Sequence, residues 1–108
     1  MSTTEDQGLS ILVDVSGPAP VLQLIGELDI GSAPALRQRL VELLTSDGDI
    51  VVDLSGLTFM DSSGISVLIV AHKRARDQGR KLTLRQPRGA VAKVLAISGT
   101  DQVFSIES

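Results

Sequence analysis

Phe59-Met60-Asp61-Ser62-Ser63-Gly64 lies between two segments of different hydrophobic pattern. Before it runs Ile50-Val51-Val52-Asp53-Leu54, apolar, β-branched and strand-like. After it the apolar residues follow a helical pattern from about Ser63 to Gln78. A hydroxyl pair flanked by Asp and Gly at such a junction can be exposed and yet held still. Peptide N–H groups at a helix start point outward and favour an anion. A phosphate added to such a serine would meet its electrostatic partner already built, so the junction is a candidate switch.

Outward from this junction the rest of the chain reads as alternating strands and helices. Leu9 to Val15 mixes alternation with a β-branched run and predicts a first strand. Ser16-Gly17-Pro18-Ala19-Pro20 is turn chemistry, and Val21 to Ile25 predicts a second strand stopped by Gly26. So short a link makes the two an antiparallel hairpin. Ser32 is placed to cap a helix with Pro34 at an early position, followed by Leu36, Leu40, Leu43 and Leu44 at helical spacing. Asp47-Gly48 ends that helix, and a third strand covers about Asp49 to Leu54. Gly79 is a fitting end for the second helix.

Lys81 to Arg85 alternates strictly as a fourth strand. A third helix carries Val91, Val94 and Leu95 inward and ends at Gly99, and Val103 to Ile106 closes as a fifth strand. Each strand-helix-strand unit crosses over right-handed, so strands two to five lie parallel with their helices on one face. The expected fold is one α/β domain over residues 9–108, with a mixed, mostly parallel sheet of about five strands and the first strand antiparallel. Residues 1–8 are polar and acidic and are expected as a frayed tail.

Composition narrows the function. With 108 residues there is room for one core, and 43 % hydrophobic with 21 % charged residues is the balance of a globular domain. No apolar run reaches the roughly 18 residues of a membrane span, and the amino end lacks the regions of a secretory signal. Cysteine is absent, which removes disulfides and thiolate chemistry and fits a cytoplasmic protein. A net charge of −3 disfavours direct nucleic-acid binding, and the absence of Trp and Tyr leaves no stacking platform.

The carboxyl ends of parallel strands gather on one sheet edge. Two loops are expected there, Gly26-Glu27-Leu28-Asp29 and Leu57 to Gly64, bringing Glu27, Asp29, Asp61, Ser62 and Ser63 into one patch. Ser62 reads equally well as a plain helix N-cap. Glu27 and Asp29 read by themselves as a solvated turn with favourable charge near a helix start. Asp29 and Asp61 are oxygen donors, but without a dense loop pattern they make a weak metal site. His72, the only histidine, is expected to face solvent about three turns from Ser62, out of reach as a general base. There is no Gly-x-x-x-x-Gly-Lys phosphate loop. The basic residues from His72 to Arg76, with Arg80, Lys81 and Arg88, read as a solvated surface.

From Leu9 to Ile106 the chain resembles the anti-sigma factor antagonists of the STAS domain class. The matching pieces are Gly26-Glu27-Leu28-Asp29 with Ala33, Val51-Val52-Asp53-Leu54, Met60-Asp61-Ser62-Ser63-Gly64, and Ile97-Ser98-Gly99 followed by Val103-Phe104. The resemblance implies a protein without catalytic activity of its own; no cofactor is expected, and the chain is expected to be a monomer or weak dimer. It implies that Ser62 is phosphorylated by an anti-sigma factor serine kinase using ATP and restored by a serine phosphatase. It implies that the unmodified form binds the anti-sigma factor and frees the sigma factor. Glu27, Asp29, Asp61, Ser62, Ser63 and Gly64 would form the partner surface; Ser63, a second hydroxyl, leaves the acceptor open. Replacing Asp29 by Ala is expected to impair docking with little effect on stability. One rival reading keeps the fold and changes the job, to a scaffold or sensor subunit of a signalling complex or a regulatory module resembling the STAS domain of an anion transporter. Another, from a different class, is an enzyme or nucleotide-binding protein using the Ser62–Asp61 edge.

Overall fold

Leu9, Ile11 and Val13 are buried while the residues between them are half-exposed, along strand β2 (Leu9–Asp14). The same period of two buries Leu22 and Leu24 in β3 (Val21–Leu28), Ile50, Val52 and Leu54 in β4 (Ile50–Met60), and Leu82 and Leu84 in β5 (Leu82–Arg85). One sheet face is therefore aliphatic and dry. Helix α1 (Ala33–Leu44) adds Leu36 and Leu40, α2 (Ser62–Asp77) adds Ile65 and Leu68, and α3 (Gly89–Ile97) adds Val91 and Leu95. All belong to one buried cluster with the strand residues, so the helices share that face.

The computed structural model describes residues 2–46 and 48–108, apart from the side chains of residues 2 and 6. The expected helix end at Asp47-Gly48 falls partly outside them, since Asp47 is not described; α1 closes at Thr45. Among the described residues the sheet has six strands in the order β1-β2-β3-β4-β5-β6, with β1 (Ser2–Asp6) and β6 (Ser105–Glu107) at its edges. The β1–β2 and β2–β3 pairs are antiparallel and the rest parallel. Among the described residues no helix is long and apolar enough to cross a membrane.

The expected elements are present, with four differences. Ser2–Asp6 pairs with β2 where a frayed tail is expected. Gln7 and Gly8 both have positive φ (54° and 84°), as a tight two-residue hairpin turn of type I′ requires. Gly26 does not stop its strand; β3 continues to Leu28. With φ of 105°, and a Cβ that would stand 2.2 Å from the Gly8 carbonyl oxygen, that position admits only glycine. A short 3-10 turn, Thr100–Gln102, precedes the last strand and shifts it two residues later than expected, and Phe104 is buried just before it.

The fourth difference matters most for the site. β4 does not end near Leu54 but runs to Met60, so the expected loop from Leu57 onward is strand. Gln23 lies opposite Asp53 but Ile25 opposite Gly56; Gly26 lies opposite Leu57 but Glu27 opposite Phe59. β4 thus holds one extra residue at each of two bulges. The Asp53 carboxylate accepts the Ser55 N–H at 2.8 Å, and the Thr58 hydroxyl donates to the Gly26 carbonyl at 3.0 Å. Side chains thereby satisfy groups that the bulges take out of the ladder.

Arg80 also differs from its reading as solvated surface. Its guanidinium donates to the carbonyls of Leu44 (3.0 Å) and Leu43 (3.1 Å), and to that of Gly48. A cation with five donors thus closes the carboxyl end of α1, where carbonyls lack helical partners.

Candidate functional site

The site grows from the paired ends of β3 and β4. Leu28 lies opposite Met60, and the Asp61 N–H donates to the Leu28 carbonyl at 3.2 Å. Asp29 and Asp61 each follow directly, so the two turns expected to meet at the carboxyl edge are neighbours. Only Asp61 separates β4 from α2.

Asp61 is the N-cap of α2: its carboxylate accepts the Ser63 N–H at 2.9 Å, and its carbonyl accepts the Ile65 N–H at 3.2 Å. The N-cap reading of Ser62 is therefore corrected, because Asp61 performs that role. Ser62 occupies the first helical position and is exposed; its hydroxyl forms no hydrogen bond among the described residues. Ser63 is half-buried. Gly64 is buried, and a Cβ there would stand 2.5 Å from Leu28 Cγ and 3.1 Å from Met60 Cγ. Gly64 therefore lets the first turn of α2 sit on the strand ends.

On the adjacent turn the Asp29 carboxylate accepts the N–H groups of Gly31 (3.0 Å) and Ser32 (3.2 Å). Ser32 is 0 % exposed. Its hydroxyl donates to the Glu27 carbonyl at 3.0 Å and accepts the Asp29 N–H at 3.0 Å, with no side-chain cap bond to its own helix. Asp29 and Ser32 lock the turn between them. Asp29→Ala, expected from sequence to leave stability nearly untouched, would also remove the hydrogen bonds from the Gly31 and Ser32 N–H groups. Glu27 is exposed and stands opposite Phe59.

The edge also carries two residues that sequence reading missed. Ile30, at the tip of the Asp29 turn, is 78 % exposed, and Phe59 is 44 % exposed. An isoleucine within turn chemistry was the available signal for the first. His72 lies elsewhere and is half-buried instead of solvent-facing. Its ring meets Phe104 edge-on with centroids 5.7 Å apart, and its Nδ1 is buried without a hydrogen-bond partner among the described residues.

The family model described as "Mlab, STAS domain" matches residues 11–106. The chain belongs to the STAS domain family. A relative, the anti-sigma-B factor antagonist of Bacillus subtilis (strain 168), is 30 % identical over 102 residues, covering 93 % of this chain and 94 % of its own. The structure of an anti-sigma factor antagonist from Mycobacterium paratuberculosis superposes with a TM-score of 0.77 at 27 % identity, covering 92 % of this chain and 85 % of its own. The Bacillus cell fate determinant SpoIIAA, solved in its phosphorylated form, shares the fold: TM-score 0.71, 21 % identity, 91 % of both chains.

Proposed function

We propose that this STAS domain is an anti-sigma factor antagonist acting as a phosphorylation-controlled binding switch, without catalysis of its own. The unmodified chain docks an anti-sigma factor that is a serine kinase and so frees the sigma factor. The kinase phosphorylates Ser62 using ATP, and a serine phosphatase reverses the modification in the cytoplasm. Glu27, Asp29, Asp61, Ser62 and Ser63 form the docking patch, with Ile30 and Phe59 beside them.

The observation that carries this reading is the exposed, uncommitted Ser62 hydroxyl at the start of α2, one residue beyond a cap that Asp61 already provides. Phosphorylation there adds about −1.5 to −2 charges without removing any bond that holds the fold. The positive end of the helix dipole accommodates the new anion internally. Toward a partner the effect is opposite, because Asp61 and Asp29 already set carboxylates on the two adjoining turns. Repulsion, desolvation and bulk then act together; about 2.7 kcal/mol suffices for a hundredfold loss of affinity. The relatives named as anti-sigma factor antagonists support the partner class, and the phosphorylated SpoIIAA fold supports a switch without refolding.

The test is incubation of the full chain with candidate anti-sigma kinases and ATP, followed by mass-spectrometric mapping. Phosphate on Ser62, absent from Ser62→Ala, is the expected result. Phosphate retained in Ser62→Ala would move the acceptor to Ser63. No transfer from any such kinase would overturn the reading.

A further inference from the structure

Between α1 and α2 lies an open groove of about 200 Å³, mostly apolar, with Val41, Leu44 and Val70 in its lining. Val41 is 41 % exposed and Val70 56 %, so the groove shows water an aliphatic surface. Arg37 on α1 and Arg74 on α2 line it as well. Both are exposed, and neither takes part in an ion pair or side-chain hydrogen bond among the described residues. Two uncommitted guanidinium groups beside an apolar trough define the complementary surface: apolar side chains flanked by carboxylates.

The groove is continuous with the switch. Ser62, Ser66, Val70 and Arg74 are all exposed and recur every four residues, which places them along one face of α2. Ser66 lines the groove and donates its hydroxyl to the Ser62 carbonyl at 2.9 Å. The lining therefore begins one turn, about 6 Å, from Ser62. A stable protein interface covers about 800 Å² on each partner, a patch of roughly 16 Å radius. A partner centred on Ser62 therefore reaches over Ser66 and Val70.

We infer that this groove seats a helical segment of the anti-sigma kinase, carrying apolar side chains between flanking carboxylates. The inference rests on the reading of Ser62 as that kinase's acceptor. It adds an orientation to it: the partner must be cationic over the Glu27, Asp29 and Asp61 patch and anionic over Arg37 and Arg74. Opposite charges at the two ends of one surface fix the docking direction and reject the reversed one.

The test uses the full chain and the kinase that transfers phosphate to wild-type Ser62. Val70→Asp, and separately Arg37→Glu with Arg74→Glu, should raise the calorimetric Kd at least tenfold. Each should raise the half-saturating concentration in the phosphorylation assay to match, with the maximal rate within twofold and the melting temperature unchanged. The double arginine variant should also flatten the salt dependence of Kd. A Kd within twofold of wild type in both variants overturns the inference. It is equally overturned if Val70→Asp turns a dimer into a monomer in sedimentation without kinase, because a second copy then fills the groove. Failure of the underlying reading looks different: wild type itself would neither bind nor be phosphorylated.

Discussion

Asp61 and Asp29 each place a carboxylate on the backbone of their own turn, leaving the neighbouring Ser62 hydroxyl uncommitted. Geometry and charge can be separated here, because asparagine keeps the accepting oxygen and loses the charge. Asp61→Ala is expected to cost about 1 kcal/mol in urea unfolding, and Asp61→Asn to restore most of it. Equal loss in both variants would show that charge, not capping, holds the turn. Gly64→Ala forces a methyl against Leu28, so about 1–3 kcal/mol should be lost. Thermal unfolding should then fall by several degrees; an unchanged midpoint would mean the first turn of α2 shifts freely. The Asp-Ser-Ser-Gly run was legible as a junction from sequence, but the division of labour within it was not. Ser and Asp are nearly equal as N-caps, so only the bond to the Ser63 N–H distinguishes them.

At the scale of elements, the order of strands and helices from residue 9 onward was legible because its periods are clean. Misreadings fall where a period is broken. Ser55-Gly56-Leu57 interrupts the alternation of β4 because a bulge resets which face each residue meets, so the strand seemed to end early. Gln7-Gly8 lacks the Asn-Gly signature of the turn it makes, which hid β1. His72 falls four residues after Leu68 and three before Ala75, on the rim of the buried stripe, and Phe104 covers it from a distant segment. Arg80 carries the prediction proper to this scale. Arg80→Ala strips the donors from the end of α1 and should cost about 1–3 kcal/mol in urea unfolding. Arg80→Lys should recover less than half, since an ammonium cannot bridge several carbonyls in a fixed fork. Wild-type stability in Arg80→Ala would return that residue to solvated surface.

For the whole molecule, the sheet buries one aliphatic face under three helices and brings two turns together where β3 and β4 end side by side. The core and the proposed switch are thus separate in space: the core is built mainly from Leu, Ile and Val, while Ser62 is exposed outside it. On the proposed function, a modification at Ser62 would change what docks without changing what folds. The most direct measurement compares calorimetric binding of the anti-sigma kinase to the unmodified chain and to the chain stoichiometrically phosphorylated on Ser62, with far-ultraviolet circular dichroism of both. Affinity about a hundredfold weaker for the phosphorylated chain, with superimposable spectra, is the predicted result. Equal affinity for the two forms, or loss of binding accompanied by loss of secondary structure, would contradict it.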